Sequence, residues 1–75
     1  MTDKQCNGWK NYSTWNVALW IGKDEGLYDL AVELGTYEKL RDLLQIRDII
    51  ETPDSVSYRD SGLDISALNE MISEL

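Results

Sequence analysis

The sequence has no histidine and no phenylalanine, and only one cysteine and one proline in 75 residues. Without histidine, it lacks both the side chain that titrates nearest neutrality and the commonest imidazole metal ligand, so acid–base catalysis and zinc-type sites lose their usual groups. Cys6 alone cannot close an internal disulfide. It lies among polar residues with no base beside it to activate the thiol, and it is expected to be dispensable. No apolar run approaches the roughly 18 residues that a spanning helix needs, and no charged-then-apolar leader is present, so a cytoplasmic protein without a membrane partner is expected. Asn11-Tyr12-Ser13 fits the glycosylation acceptor pattern, a reading that would require secretion. No glycine-rich loop precedes a helix with Lys and Ser or Thr, so phosphate cradling is not indicated.

What is present suffices for one small domain. Hydrophobic residues make up 43% of the chain, with three Trp and four Tyr, which is core material rather than a disordered composition. A chain this short has no apolar side chains left for a second core. Residues 1–10 are polar and contain the turn pair Asn7-Gly8; they read as a flexible arm, able to dock through Trp9, ahead of a single helical domain over residues 11–75. The net charge is −7, and it is concentrated: from Asp48 onward there are seven acids against Arg59 alone. Such a surface repels nucleic-acid phosphates and attracts basic patches on proteins, so no direct nucleic-acid binding is expected.

The pattern predicts an all-α fold of about four short helices. Ser13 can cap the first, with Tyr12 stapled onto Val17, and the run Trp15 to Ile21 is apolar nearly all round, which places this helix in the middle of the core. Gly22 is expected to end it in a left-handed conformation. Asp24 can cap a second helix carrying Leu27, Leu30, Ala31 and Leu34, which Gly35 stops. Thr36 can cap a third, whose stripe Tyr37, Leu40, Leu43, Leu44 and Ile50 runs until Thr52-Pro53 breaks it. Ile46 and Ile49 fit that stripe less well. A loop, or a short extended segment alternating Val56 with Tyr58, is expected around residues 53–63. Asp64 can cap a fourth helix with Ile65, Leu68, Met71, Ile72 and Leu75, and Leu63 can staple onto Leu68. The core is then expected to centre on Trp15, Leu19 and Trp20, surrounded by Leu30, Leu40, Leu44, Leu68 and Ile72.

Candidate chemistry is sparse, and neither a catalytic residue nor a cofactor is indicated. Asp54, Asp60 and Asp64 offer oxygens to a hard cation, but their spacing is not that of a calcium loop and turn chemistry explains them; no metal is expected. Trp15 and Trp20, five residues apart, are core residues or else an aromatic anchor for a partner. Asn16 either completes the helix cap or is a buried polar group that fixes a contact. Three like-charged pairs stand at i, i+4: Asp29 with Glu33, Glu38 with Asp42, and Glu70 with Glu74. Each costs a few tenths of a kcal/mol at roughly 6 Å separation, near the spacing of strand phosphates, which makes a DNA mimic one alternative. The candidate partner-binding residues are Tyr58, read as an exposed aromatic, together with Glu70, Glu74, Asp29 and Glu33.

The run Asn11-Tyr12-Ser13-Thr14-Trp15-Asn16-Val17-Ala18-Leu19-Trp20-Ile21, followed by Asp24-Glu25-Gly26-Leu27-Tyr28, resembles a family of small uncharacterised proteins of bacteriophages, cyanophages included, and of related mobile elements. Thr52-Pro53-Asp54, Leu63-Asp64 and Ala67 to Met71 are similar to the tail of that family, so the resemblance spans residues 11–75. The chain departs from the pattern at Lys23, where Asn is expected, and at Ser55, where Gly is. The resemblance carries no activity and no catalytic residue; it implies a small phage accessory protein that acts by sticking to a host protein. Binding, with modulation or inhibition of a host enzyme or defence system, is therefore the leading expectation. A DNA-mimic inhibitor and a self-associating module, such as a homodimer, are the alternatives.

Overall fold

The computed structural model describes residues 8–75; Cys6 and most of the N-terminal arm lie outside that range. Four helices follow one another, α1 (Tyr12–Lys23), α2 (Glu25–Leu34), α3 (Tyr37–Ile46) and α4 (Ile65–Ser73), with no strand among the described residues. The fold is all-α, as expected. No described helix is long and apolar enough to cross a membrane. Helices α1, α2 and α4 pack against one another, and α3 packs on α2 and α4.

Three of the four caps were legible in the sequence. Asp24, Thr36 and Asp64 each accept a hydrogen bond from the backbone N–H three residues on, at 3.1, 3.4 and 3.2 Å, which satisfies a donor that the first turn would otherwise leave unpaired. Gly35 ends α2 at φ 83°. The cap of α1, however, is Asn11 rather than Ser13: its Oδ1 accepts from Thr14 N at 2.9 Å and from the Thr14 hydroxyl at 2.7 Å. Tyr12 therefore sits inside the first turn, half-exposed against the Trp15 ring, and is not a staple onto Val17. Gly22 does not stop α1, which continues to Lys23 and is capped by Asp24.

The centre of the core also differs from the expectation. Thr14, Val17, Ala18 and Ile21 are the buried stripe of α1, at i, i+3, i+4 and i+7, with Asn16 buried beside them. Trp15 and Trp20 flank that stripe half-buried, and Leu19 lies on the opposite side, 36% exposed. Around this stripe the core gathers Ala31, Tyr37, Leu40, Leu44, Val56, Tyr58, Leu63, Leu68 and Ile72, with Trp9, Leu27, Leu30 and Met71 packed partly against it. Leu63 and Leu68 are both buried there, as a staple on α4 requires. Tyr37 is fully buried; its hydroxyl donates to Tyr58 O at 2.5 Å, and its N–H donates to Asn69 Oδ1 on α4 at 2.6 Å. Burial and the neighbouring Tyr58 push the Tyr37 phenol well above its ordinary value of 10.

Helix α3 ends at Ile46, six residues before the Thr52-Pro53 break expected for it. Asp48 takes φ 63°, Asp48 N donates to Gln45 O, and Ile49 N donates to Leu44 O at 2.8 Å. This is a Schellman stop with Asp in the place where Gly usually stands. The chain then forms a tight hairpin rather than a plain loop. Thr52 N donates to Val56 O and Tyr58 N to Ile50 O, around a single antiparallel bridge between Glu51 and Ser57. Ser55 turns the hairpin at φ 70°. A left-handed turn is a conformation that favours Gly, so Ser55 carries a Cβ where the backbone would be freer without one.

Candidate functional site

Two polar clusters tie the α3–α4 connection to α1. Near the start of the helix, Asn11 Nδ2 donates to Gly62 O at 2.7 Å, and the buried Thr14 hydroxyl accepts from Asp64 N at 3.0 Å. Asp60 accepts from Gly62 N at 2.7 Å and from the Ser13 hydroxyl at 3.4 Å. One turn further along, the fully buried Asn16 takes the second of its two expected roles. Its Oδ1 accepts from the Thr52 hydroxyl at 2.7 Å and its Nδ2 donates to Asp54 Oδ2 at 2.9 Å. Trp20 Nε1 donates to the same carboxylate oxygen at 3.0 Å. Thr52 Oγ1 in turn accepts from the backbone of Asp54 and Val56. Those side-chain donors, Asn16 first, hold the Asp54 carboxyl below its ordinary value, with Lys23 helping. Lys23 Nζ stands 5.1 Å over the Trp20 ring.

This second cluster fixes one wall of a groove. Trp20, Leu27, Leu30, Ile49 and Pro53 line a hollow of about 380 Å³, floored by Leu44 and Tyr58 and rimmed by Asp24, Arg47 and Glu51. The segment beside it leaves three isoleucines in solvent: Ile46 is 81%, Ile49 42% and Ile50 60% exposed. Ile50 thus faces water instead of extending the α3 stripe. Sequence reasoning had assigned these residues to a helix; the poor fit of Ile46 and Ile49 to its period was the one sign that they leave it.

The residues singled out from the sequence are dispersed. Tyr58 is not an exposed aromatic: it is 3% exposed, inside the core, and burial pushes its phenol up to about 12. Asp29 and Glu33 are exposed on α2, Glu70 on α4 and Glu74 at its C-cap, where the latter two edge an open trough of about 350 Å³ with Trp9, Ala67 and Met71. The remaining acidic pair has structural work: Glu38 accepts from Asn69 Nδ2 at 3.0 Å, and Asp42 pairs with Arg59 at 3.0 Å. Among the described residues no cluster of three or more acidic or sulfur side chains is placed to hold a metal ion. Asp60 and Asp64 serve the turn and the α4 cap instead.

Asn11, Asn16, Trp20, Thr52 and Asp54 thus join the start of the domain to the α3–α4 connection in space. The chain belongs to a family of unknown function (DUF7249), whose model matches residues 2–75. No curated protein and no solved structure matches the chain.

Proposed function

We propose that this chain acts by binding a protein rather than by catalysis, and that the partner's apolar anchors sit in the groove over Trp20. The observation that carries this reading is the apolar hollow with Ile46, Ile49 and Ile50 unshielded beside it. A domain of this size has few apolar residues to leave in water, and clustered exposed ones mark interaction surfaces. Trp and the residues around it are the usual centre of binding energy at such surfaces. The resemblance to small phage proteins makes a host protein, met in the host cytoplasm, the partner of this reading, with modulation or inhibition of that partner as the outcome.

Capture from host lysate tests it. The wild-type chain should retain a protein at both about 50 and 200 mM salt, because apolar anchors are little screened. Ile46→Ser with Ile49→Ser should release that protein, while Glu70→Gln with Glu74→Gln should not. Binding that collapses with salt and survives the isoleucine changes would overturn the groove and favour a DNA mimic. That alternative draws less support here, since Glu38 and Asp42 are already engaged within the fold.

A further inference from the structure

Between the last turns of α3 and the hairpin lies a second, smaller pocket of about 50 Å³, walled by Ile49, Ile50 and Tyr58. Its polar lining comes from Arg41, Gln45, Ser57 and Arg59, and no carboxylate is among the lining residues. In a chain of net charge −7, two guanidinium groups at one small hollow are a local reversal of sign. Asp42 answers part of that charge: its Oδ1 lies 3.0 Å from Arg59 Nη2 and 3.5 Å from Arg41 Nε. The second contact is within ion-pair range but lacks hydrogen-bond geometry, so the buried Arg41 N–H has no acceptor. The Ser57 hydroxyl oxygen accepts from Arg59 N, which leaves its proton free to be donated.

We infer that this pocket binds a carboxylate, held by Arg41 and Arg59 with Ser57 and Gln45 as further donors. Charge and size both select this ligand. Two arginines against one aspartate leave a single positive charge, which a monoanion balances. The hollow is small, about 50 Å³, and opens to solvent, so a carboxylate can enter it while the rest of its molecule stays outside. Guanidinium forks match carboxylate oxygens in geometry as well as charge. The carboxylate comes from a free small acid or from an acidic side chain of another protein. The pocket shares Ile49 and Tyr58 with the larger groove, yet the inference does not depend on that groove being occupied.

The test is NMR titration of the intact protein, following the Arg41 and Arg59 Nε–H signals. Sodium acetate and a capped single-glutamate peptide are added in separate arms, with sodium chloride at matched ionic strength and sodium phosphate as controls. Acetate should give saturable shifts that chloride does not. Arg59→Gln should weaken binding roughly tenfold, the loss expected for a charged hydrogen bond. Asp42→Asn should strengthen it about two- to fivefold by freeing both guanidiniums from a competing surface ion pair, a gain that damage to the fold would not produce. A capped peptide that binds about tenfold tighter than acetate assigns the carboxylate to a protein side chain; equal binding assigns it to a free acid. Shifts that merely follow ionic strength, an Asp42→Asn variant no better than wild type, or phosphate binding tighter than acetate would each overturn the inference.

Discussion

The two halves of the α3–α4 connection are treated in opposite ways by the fold. Residues 52–64 are bound to α1 by side chains at almost every turn: Thr52 and Asp54 to Asn16, Gly62 to Asn11, Asp64 to Thr14. Residues 46–50 leave the helix through a backbone stop, and their three isoleucines stay in water. One half is tied to α1 by polar side chains and sinks Val56, Tyr58 and Leu63 into the core; the other leaves its isoleucines outside. The contrast shows that a polar group with every bond satisfied can be a better anchor than an apolar one with no cavity to enter.

The largest expected effect tests the anchored half. Asn16→Ala strips the Thr52 hydroxyl of its acceptor and Asp54 of a donor at a fully buried site, which should lower stability by about 2–4 kcal/mol, read as a fall in the thermal midpoint. A melt unchanged by that substitution would mean that the hairpin is held by Val56 and Tyr58 alone. Trp20→Ala comes next. As a half-buried groove residue it should cost only about 1–2 kcal/mol, not the roughly 3–5 kcal/mol of a core tryptophan, and chemical denaturation distinguishes the two.

Ser55→Gly should stabilise the protein by about 1 kcal/mol, because a left-handed turn strains any residue with a Cβ; the same denaturation curve reports it. Acid should loosen the same anchor. The folded carboxyl of Asp54 titrates below its ordinary value of 3.8, so the stability it confers is complete above that value and is lost as pH falls through the lower, folded one. Tryptophan fluorescence should follow that acid limb, and Asp54→Asn should flatten it. The smallest effect belongs to the exposed half: Ile46→Ser should change stability by less than about 0.5 kcal/mol. A larger loss would show that the isoleucines serve the fold and would weaken the case for a partner.

Much of the fold was decided locally and was therefore legible in the sequence. Asp24, Thr36 and Asp64 cap because a short oxygen side chain before a helix reaches the third N–H on, and Gly35 stops α2 because a residue without Cβ turns left-handed freely. The four helices and the stripes of α2 and α4 follow from a 3.6-residue period that any reader of the chain can count. What that period could not decide was which face of α1 turns inward, since Trp15 to Ile21 is apolar on nearly every side. Only packing against α2 and α4 selected the stripe of Thr14, Val17, Ala18 and Ile21 and left the tryptophans at the flank. Tertiary structure likewise gave Asn16 its partners 36 and 38 residues away, buried Tyr58, and brought Arg41 and Arg59 to one pocket. Such contacts depend on the meeting of distant segments, and no spacing along the chain encodes them. The Asp48 stop lay between the two: it is a local turn, but one made without glycine, so the sequence carried the geometry and not its usual mark.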